Sequence, residues 1–309
     1  MDGIYGMSDS TQQRPCLTLA ARLAEPAVVL APGVYDALTA SIAESAGFEA
    51  LYLSGAGVAY TRLGRPDIGL TSVSEMADSM TQIAERVNVP VIIDADNGFG
   101  NALNAQRTMR LYERAGAAAL QLEDQSYPKR CGHLSDKQLI SANEMCGKIK
   151  AMTDARDSED TLIIARTDAI AVEGLDLALK RADDYLEAGA DVLFIEAPKT
   201  REQLILIGER YKNKAPLLAN MVEGGSTPVS DANTLEKQGF SIVIFPGGIV
   251  RALAYTATRY YESLQRSGST KAFAEHMYDF DGLNRVIGTD DMLERGRRYS
   301  DNNSHSDES

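Results

Sequence analysis

Asp94 and Asp96 stand two residues apart at the end of an apolar run, in VPVIIDADNGFG. On an extended strand, residues i and i+2 share a face, so both carboxylates point the same way. Crowded there, they resist ionisation unless a cation neutralises them. An all-oxygen donor set selects a hard divalent cation, Mg2+ first and Mn2+ as its substitute. The competing use of the pair is to cap the next helix. A second run ends Glu123-Asp124-Gln125, and Asp67 in the loop RLGRPDIGL offers a further acid. Asp67, Asp94, Asp96 and Glu123 are therefore the candidate metal residues.

Other run ends carry different chemistry. Arg166, in TLIIARTD, suits recognition of an anionic substrate, or serves only as a counter-ion for the acids. Glu196 and Asn220 close two more runs. In Ser54-Gly55-Ala56-Gly57 small residues leave backbone N–H groups to grip a carboxylate, or simply make a turn. Cys131 lies between basic residues in KRCGH, a setting that lowers a thiol pKa and favours thiolate or proton-transfer chemistry; a structural loop cysteine is the alternative. Cys16 and Cys146 lack such surroundings and read as structural. An odd count of three cysteines without paired spacing speaks against a disulfide framework and for a reducing compartment.

These residues need a scaffold that brings run ends together. Apolar runs occupy 27–33, 50–55, 89–96, 118–124, 161–168, 191–198, 215–221 and 241–248, each followed by a stretch with helical spacing. Three of those stretches close in Ala-Gly (AESAGF, ERAGAA, LEAGAD), the expected left-handed helix stop. Short, continuously apolar runs mark parallel strands covered on both faces. Eight βα units in series predict a (β/α)8 TIM barrel, whose active sites lie at the C-terminal ends of the strands. The rival is an open doubly wound sheet, but no run is followed by a dinucleotide or P-loop glycine motif. One barrel domain over 15–299 is expected, with disordered tails at 1–14 and 300–309.

The net charge of −13 argues against nucleic acid and anionic membranes as partners. No signal peptide or membrane-spanning run is apparent, so a cytoplasmic enzyme acting on a small molecule is expected.

On these residues the chain resembles the isocitrate lyase and phosphoenolpyruvate mutase superfamily, in particular its short-chain members. KRCGH matches the lyase signature loop, and LSGAGVA, LGRPDIG, DAD-x-GFG, LEDQ, ARTDA, EAP and LANMVEGG follow in family order over roughly 25–295. The resemblance implies a barrel whose C-terminal helices are swapped between subunits of a homotetramer. It implies Mg2+ near Asp94, with Asp67, Asp96 and Glu123 holding its waters. Ser54, Gly55 and Ala56 would bind the carboxylate of a 2-oxo acid, and Cys131 would be a proton donor on a mobile loop. His133, Arg166, Glu196 and Asn220 would complete the site. The chain departs from the family pattern at Ala56, Asn97 and the FPGG of the eighth run.

The reaction so implied is retro-aldol cleavage of a 2-hydroxy di- or tricarboxylate, of the 2-methylisocitrate or dimethylmalate type, to pyruvate or glyoxylate and a second carboxylate. A carboxyphosphonoenolpyruvate phosphonomutase or an oxaloacetate hydrolase on the same site are the alternatives. A Schiff-base aldolase is disfavoured because no run ends in lysine. A non-catalytic barrel is disfavoured because Asp94, Asp96, Cys131 and Arg166 are all present.

Overall fold

The computed structural model describes residues 18–129 and 137–301. The apolar runs form β1 (Val29–Val34), β2 (Leu51–Leu53), β3 (Val91–Asp94), β4 (Ala119–Glu123), β5 (Leu162–Thr167), β6 (Val192–Ile195), β7 (Leu217–Asn220) and β8 (Ile242–Phe245). All pair in parallel in chain order, and the sheet closes where Val29 to Pro32 lie against Ile242 to Phe245. This is the (β/α)8 barrel the alternation predicts, and not an open sheet. Beyond β8 the helices Gly248–Ser267, Phe280–Ile287 and Thr289–Asp301 form a C-terminal extension. The expected N-terminal tail and residues 302–309 lie outside the described residues.

Each strand has two faces, and both are apolar for different reasons. Leu51, Leu53, Ile93, Leu120, Leu122, Ile163 and Leu193 belong to the large cluster between barrel and helices. Tyr52, Ile92, Ala119, Ile164, Phe194, Leu218 and Ile244 belong to a second cluster, which fills the barrel itself. Leu19, on the short helix Leu19–Leu23 capped by Thr18, joins that second cluster beside the strand starts and plugs that end of the barrel. Stepping by two from the interior residues leads to Ser54, Asp94, Glu123, Arg166, Glu196 and Asn220. Parity alone therefore sends these side chains to the barrel axis, above an apolar floor. Among the described residues no helix is long and apolar enough to cross a membrane.

Local signals agree with this register. Gly116 and Gly189, in ERAGAA and LEAGAD, adopt φ +94 and +107 at their helix ends. The helix Ala102–Arg114 after β3 is capped by Asn101, whose side chain accepts from the amides of Leu103 and Asn104. Asn101, and neither Asp94 nor Asp96, is thus the cap of this helix.

Close packing outweighs helix propensity at Gly208, inside the helix Arg201–Tyr211: a Cβ there would overlap the carbonyl oxygen of Gln238. Glycine costs a helix interior about 1 kcal/mol relative to alanine, whereas overpacking costs about 1–3 kcal/mol or more. Gly208→Ala is expected to lower stability by roughly 2 kcal/mol, net, in denaturant unfolding; a more stable variant would show that this contact relaxes freely.

Candidate active site

At the C-terminal mouth, β2, β3, β4 and the loop bearing Asp67 bring four acids into one buried region. Asp67, Asp94, Asp96 and Glu123 are each under a tenth exposed. Asp94 accepts the amide of Asp96 through Oδ1 at 3.1 Å and that of Gly55 through Oδ2 at 3.3 Å. A Cβ at position 55 would lie 3.0 Å from Asp94 Oδ2, so glycine is what leaves this carboxylate its room. Ser54 caps the turn after β2, its Oγ accepting from the Gly57 amide at 3.1 Å. Of this turn's amides, that of Gly55 meets a carboxylate of the protein itself, Asp94, while that of Ser54 donates to the Val34 carbonyl.

Asp96 lies on a strained turn. Its φ is +46, and Gly98 and Phe99 follow at +82 and +58. Such positive φ at non-glycine residues costs on the order of 1–3 kcal/mol each and persists only where surroundings enforce it. Here Lys148 Nζ donates to the Asn97 carbonyl at 2.9 Å, the Phe99 amide donates to Asn97 Oδ1 at 3.1 Å, and the Asp94–Asp96 bond fixes the entry.

Lys129 supplies positive charge inside this acidic cluster. Its Nζ lies 2.5 Å from Asp67 Oδ1 and 2.6 Å from Asp96 Oδ1, all three side chains being buried. Burial alone would lower the Lys129 ammonium, but Asp96, Asp67, Asp94 and Glu123 outweigh it and hold the group protonated. Burial raises Asp96 to about 7, with Lys129 pulling it down and Asp94 and Asp67 pushing it up. Burial also lifts Glu123 well above the usual carboxylate range. Its Oε1 is buried without a hydrogen-bond partner among the described residues, and its Oε2 lies 3.5 Å from Arg166 Nε.

A hard cation fits this donor set. Every donor is a carboxylate oxygen, and the orphaned Glu123 oxygen is an acceptor with nothing to accept. No three acidic or imidazole groups among the described residues converge on one point at metal-ligand geometry.

Opposite the acids stand Arg166, Glu196 and Asn220. Arg166 donates to Asp168 from Nε at 2.9 Å and NH2 at 3.2 Å, lies 3.7 Å from Glu196, and sits 4.9 Å over the Phe194 ring. Burial works against its charge, but Asp168, Glu196 and Glu123 hold it protonated. Asn220 Nδ2 donates to Glu196 Oε1 at 3.2 Å, while its buried Oδ1 has no partner among the described residues. Asp124, next to Glu123 but of opposite parity, points outward. It accepts from Thr167, Tyr185 and the Asp168 amide, and so braces β5 instead of joining the acids.

Cys131 and His133 lie outside the described residues. The chain on either side of them forms an antiparallel stem: the Ser126 amide donates to the Gln138 carbonyl at 2.8 Å and the Ile140 amide to the Asp124 carbonyl at 2.9 Å. The stem rises directly from β4, so the KRCGH segment starts at the site's rim.

Three contributors were not singled out in the sequence. Lys129 is one, Asp168 another. The third is Tyr52, whose hydroxyl donates to Gln121 Oε1 at 2.6 Å and whose acidity is suppressed by burial and then by Asp94. Tyr52 was findable, since it lies two before Ser54 and shares its face.

With this geometry in view, the comparisons are informative. The family model described as phosphoenolpyruvate phosphomutase matches residues 19–265. The chain is 42% identical over 273 residues to a 2,3-dimethylmalate lyase of Eubacterium barkeri, covering 88% of this chain and 94% of that one. It is 44% identical over 288 residues to a 2-methylisocitrate lyase of Aeropyrum pernix, covering 93% and 92%. Among solved structures, oxaloacetate acetylhydrolase with the inhibitor 3,3-difluorooxalacetate superposes with a TM-score of 0.87 at 31% identity over 92% of this chain and 96% of that one. A phosphonopyruvate hydrolase complex with oxalate and Mg2+ superposes with a TM-score of 0.81 at 30% identity over 91% and 98%.

The elevated Asp96 has a consequence for stability without divalent cations. Its folded pKa of about 7 lies above the unfolded value, so its contribution is most favourable at low pH and declines as pH rises from about 4 through 7. Asp96→Asn is expected to gain melting temperature relative to the parent between pH 5 and pH 8 in EDTA. A pH-independent difference would place the Asp96 carboxylate in a better-solvated setting than this one.

Proposed function

The chain belongs to the phosphoenolpyruvate phosphomutase family, within the superfamily shared with isocitrate lyase, and from that membership we propose that it is a Mg2+-dependent carbon–carbon lyase. Its substrate would be a 2-hydroxy di- or tricarboxylate of the 2-methylisocitrate or 2,3-dimethylmalate type. The observation that carries this reading is the buried acid cluster with its unpartnered Glu123 oxygen, set beside the Arg166 guanidinium in one mouth.

Asp94 would hold the ion directly, with Asp67, Asp96 and Glu123 holding its waters. Bound Mg2+, or Mn2+ in its place, supplies Lewis-acid polarisation and a template for the hydroxyl and neighbouring carboxylate. The chain's own groups do the rest. The Ser54-Gly55-Ala56 turn orients the carboxylate of the 2-oxo acid half. A carboxylate of the mouth acting as base takes the hydroxyl proton, and the C2–C3 bond breaks in a retro-aldol step, its electron pair leaving with the other half and pyruvate or glyoxylate remaining. The other half departs with charge spread over its carboxylate. Arg166 and His133 meet that charge where little water competes, and Glu196 with Asn220 completes the wall. Cys131 then delivers a proton to carbon, and seating of the loop over the mouth excludes water.

Two alternatives use the same residues, hydrolysis of oxaloacetate and phosphonomutase chemistry. Relatives of both kinds are known, an oxaloacetate acetylhydrolase and a carboxyvinyl-carboxyphosphonate phosphorylmutase of Arabidopsis thaliana. The assembly we propose is a homotetramer with exchanged C-terminal helices, in the cytoplasm. Supporting the exchange, those helices leave Phe280 83%, Tyr299 74% and Met292 62% exposed, an apolar face that a second subunit would cover.

A panel of 2-methylisocitrate, 2,3-dimethylmalate, isocitrate and oxaloacetate, scored for 2-oxo acid or oxalate release with Mg2+, tests the assignment, and phosphorus NMR tests the mutase. Cleavage of a 2-hydroxy acid that stops in EDTA is expected; a full rate in EDTA rules out the metal. Cys131→Ser is expected to lose about 100-fold or more in kcat with unchanged melting and Mg2+ binding. Unchanged turnover would remove the thiol from the reaction.

A further inference from the structure

Two lysines bracket the KRCGH segment, Lys129 at its start and Lys137 shortly after it. They reach opposite sides of the mouth. Lys129 meets Asp67 and Asp96, whereas Lys137 Nζ, on a side chain only 3% exposed, donates to Asp168 Oδ1 at 2.8 Å. The same carboxylate carries Arg166: Nε donates to its Oδ2 at 2.9 Å and NH2 to its Oδ1 at 3.2 Å. Asp168 Oδ1 is therefore shared between an ammonium from the loop stem and the guanidinium that faces the site.

Asp168 is held rigidly from behind. Its amide donates to Asp124 Oδ1 at 3.0 Å, and Asp124 is anchored in turn by Thr167 and Tyr185 at 2.7 Å each. Arg181 ties the same assembly to the stem, lying 3.4 Å from Asp124 Oδ2 and donating to the Ile140 carbonyl at 2.9 Å. The Asp168 backbone is thus anchored while its carboxylate meets two cations, which divide its single charge. With Lys137 in place, the carboxylate is half satisfied by the ammonium, and Arg166 retains charge for an anion in the mouth. Without Lys137, the whole carboxylate turns to Arg166, drawing the guanidinium down and neutralising it more fully.

We propose that Lys137 is a positioning residue that acts through Asp168 on Arg166, setting how the guanidinium is presented to the substrate anion. This rests on the reading of Arg166 as the residue that meets the substrate's negative charge.

The test measures kcat and KM on whichever panel acid the parent cleaves fastest, for Lys137→Met, Lys137→Arg, Arg166→Lys and the double variant Lys137→Met with Arg166→Lys. Lys137→Met is expected to lower kcat/KM by about 10- to 100-fold. Lys137→Arg, which keeps a cation on Asp168, should recover most of that loss. In the double variant the loss should stay within about threefold of Arg166→Lys alone, the non-additivity of residues acting through one path. Should Lys137→Met not fold, Lys137→Gln takes its place in the same cycle. Losses that multiply, or no rescue by arginine, would overturn the proposal by reducing Lys137 to a structural tie. A parent-like Arg166→Lys, or a parent inactive on every acid, would instead overturn the reading beneath it.

Discussion

Like charges confined to one dry mouth are the constraint around which this barrel is organised. Asp67, Asp94, Asp96 and Glu123 are buried together. Buried carboxylates are tolerated only with compensating cations or protons. Lys129 compensates one side and Arg166 the other. What they leave is local: an orphaned Glu123 oxygen and acids pushed upward in pKa. On the proposed reading a divalent ion would supply the remaining charge, and an oxyacid would arrive with it.

The scaffold serves this constraint through parity and bracing. Alternation along β3, β4, β5, β6 and β7 directs Asp94, Glu123, Arg166, Glu196 and Asn220 inward while Asp124 goes outward and becomes a brace for β5. The DADNGFG turn, with Asp96 and Phe99 at positive φ, carries an acid where ordinary strand geometry would not place it. Lys148 and Asn97 hold that geometry from the helical side. Strain is tolerated at a turn that displaces a carboxylate toward the other acids, and again at Ala197, φ +58, just after Glu196.

Much of this was legible in the sequence. The eight runs read as strands because each is short and continuously apolar, and their acidic or basic ends read as a site because barrels gather strand ends at one face. Asp94, Glu123 and Arg166 were found that way. Asp67 and KRCGH owe more to family resemblance, because nothing in loop composition says where a loop folds back. Lys129, Lys137 and Asp168 went unassigned for the same reason. Their partners are distant in sequence, with 62 positions between Asp67 and Lys129 and 31 between Lys137 and Asp168. Capping and metal binding fit the same letters at Asp94 and Asp96, and only the folded chain shows that Asn101 takes the cap.

The apolar plug has a bearing on how ligands could come and go: among the described residues, Leu19, Tyr52, Ile92, Phe194 and their neighbours close the barrel below the acids, so the approach to Asp94 is from the C-terminal mouth. Whatever settles against Asp94 is walled in by anything that arrives later and sits nearer the rim. On the proposed reading, release would run in reverse of entry, with a deep-seated fragment leaving only after its companion.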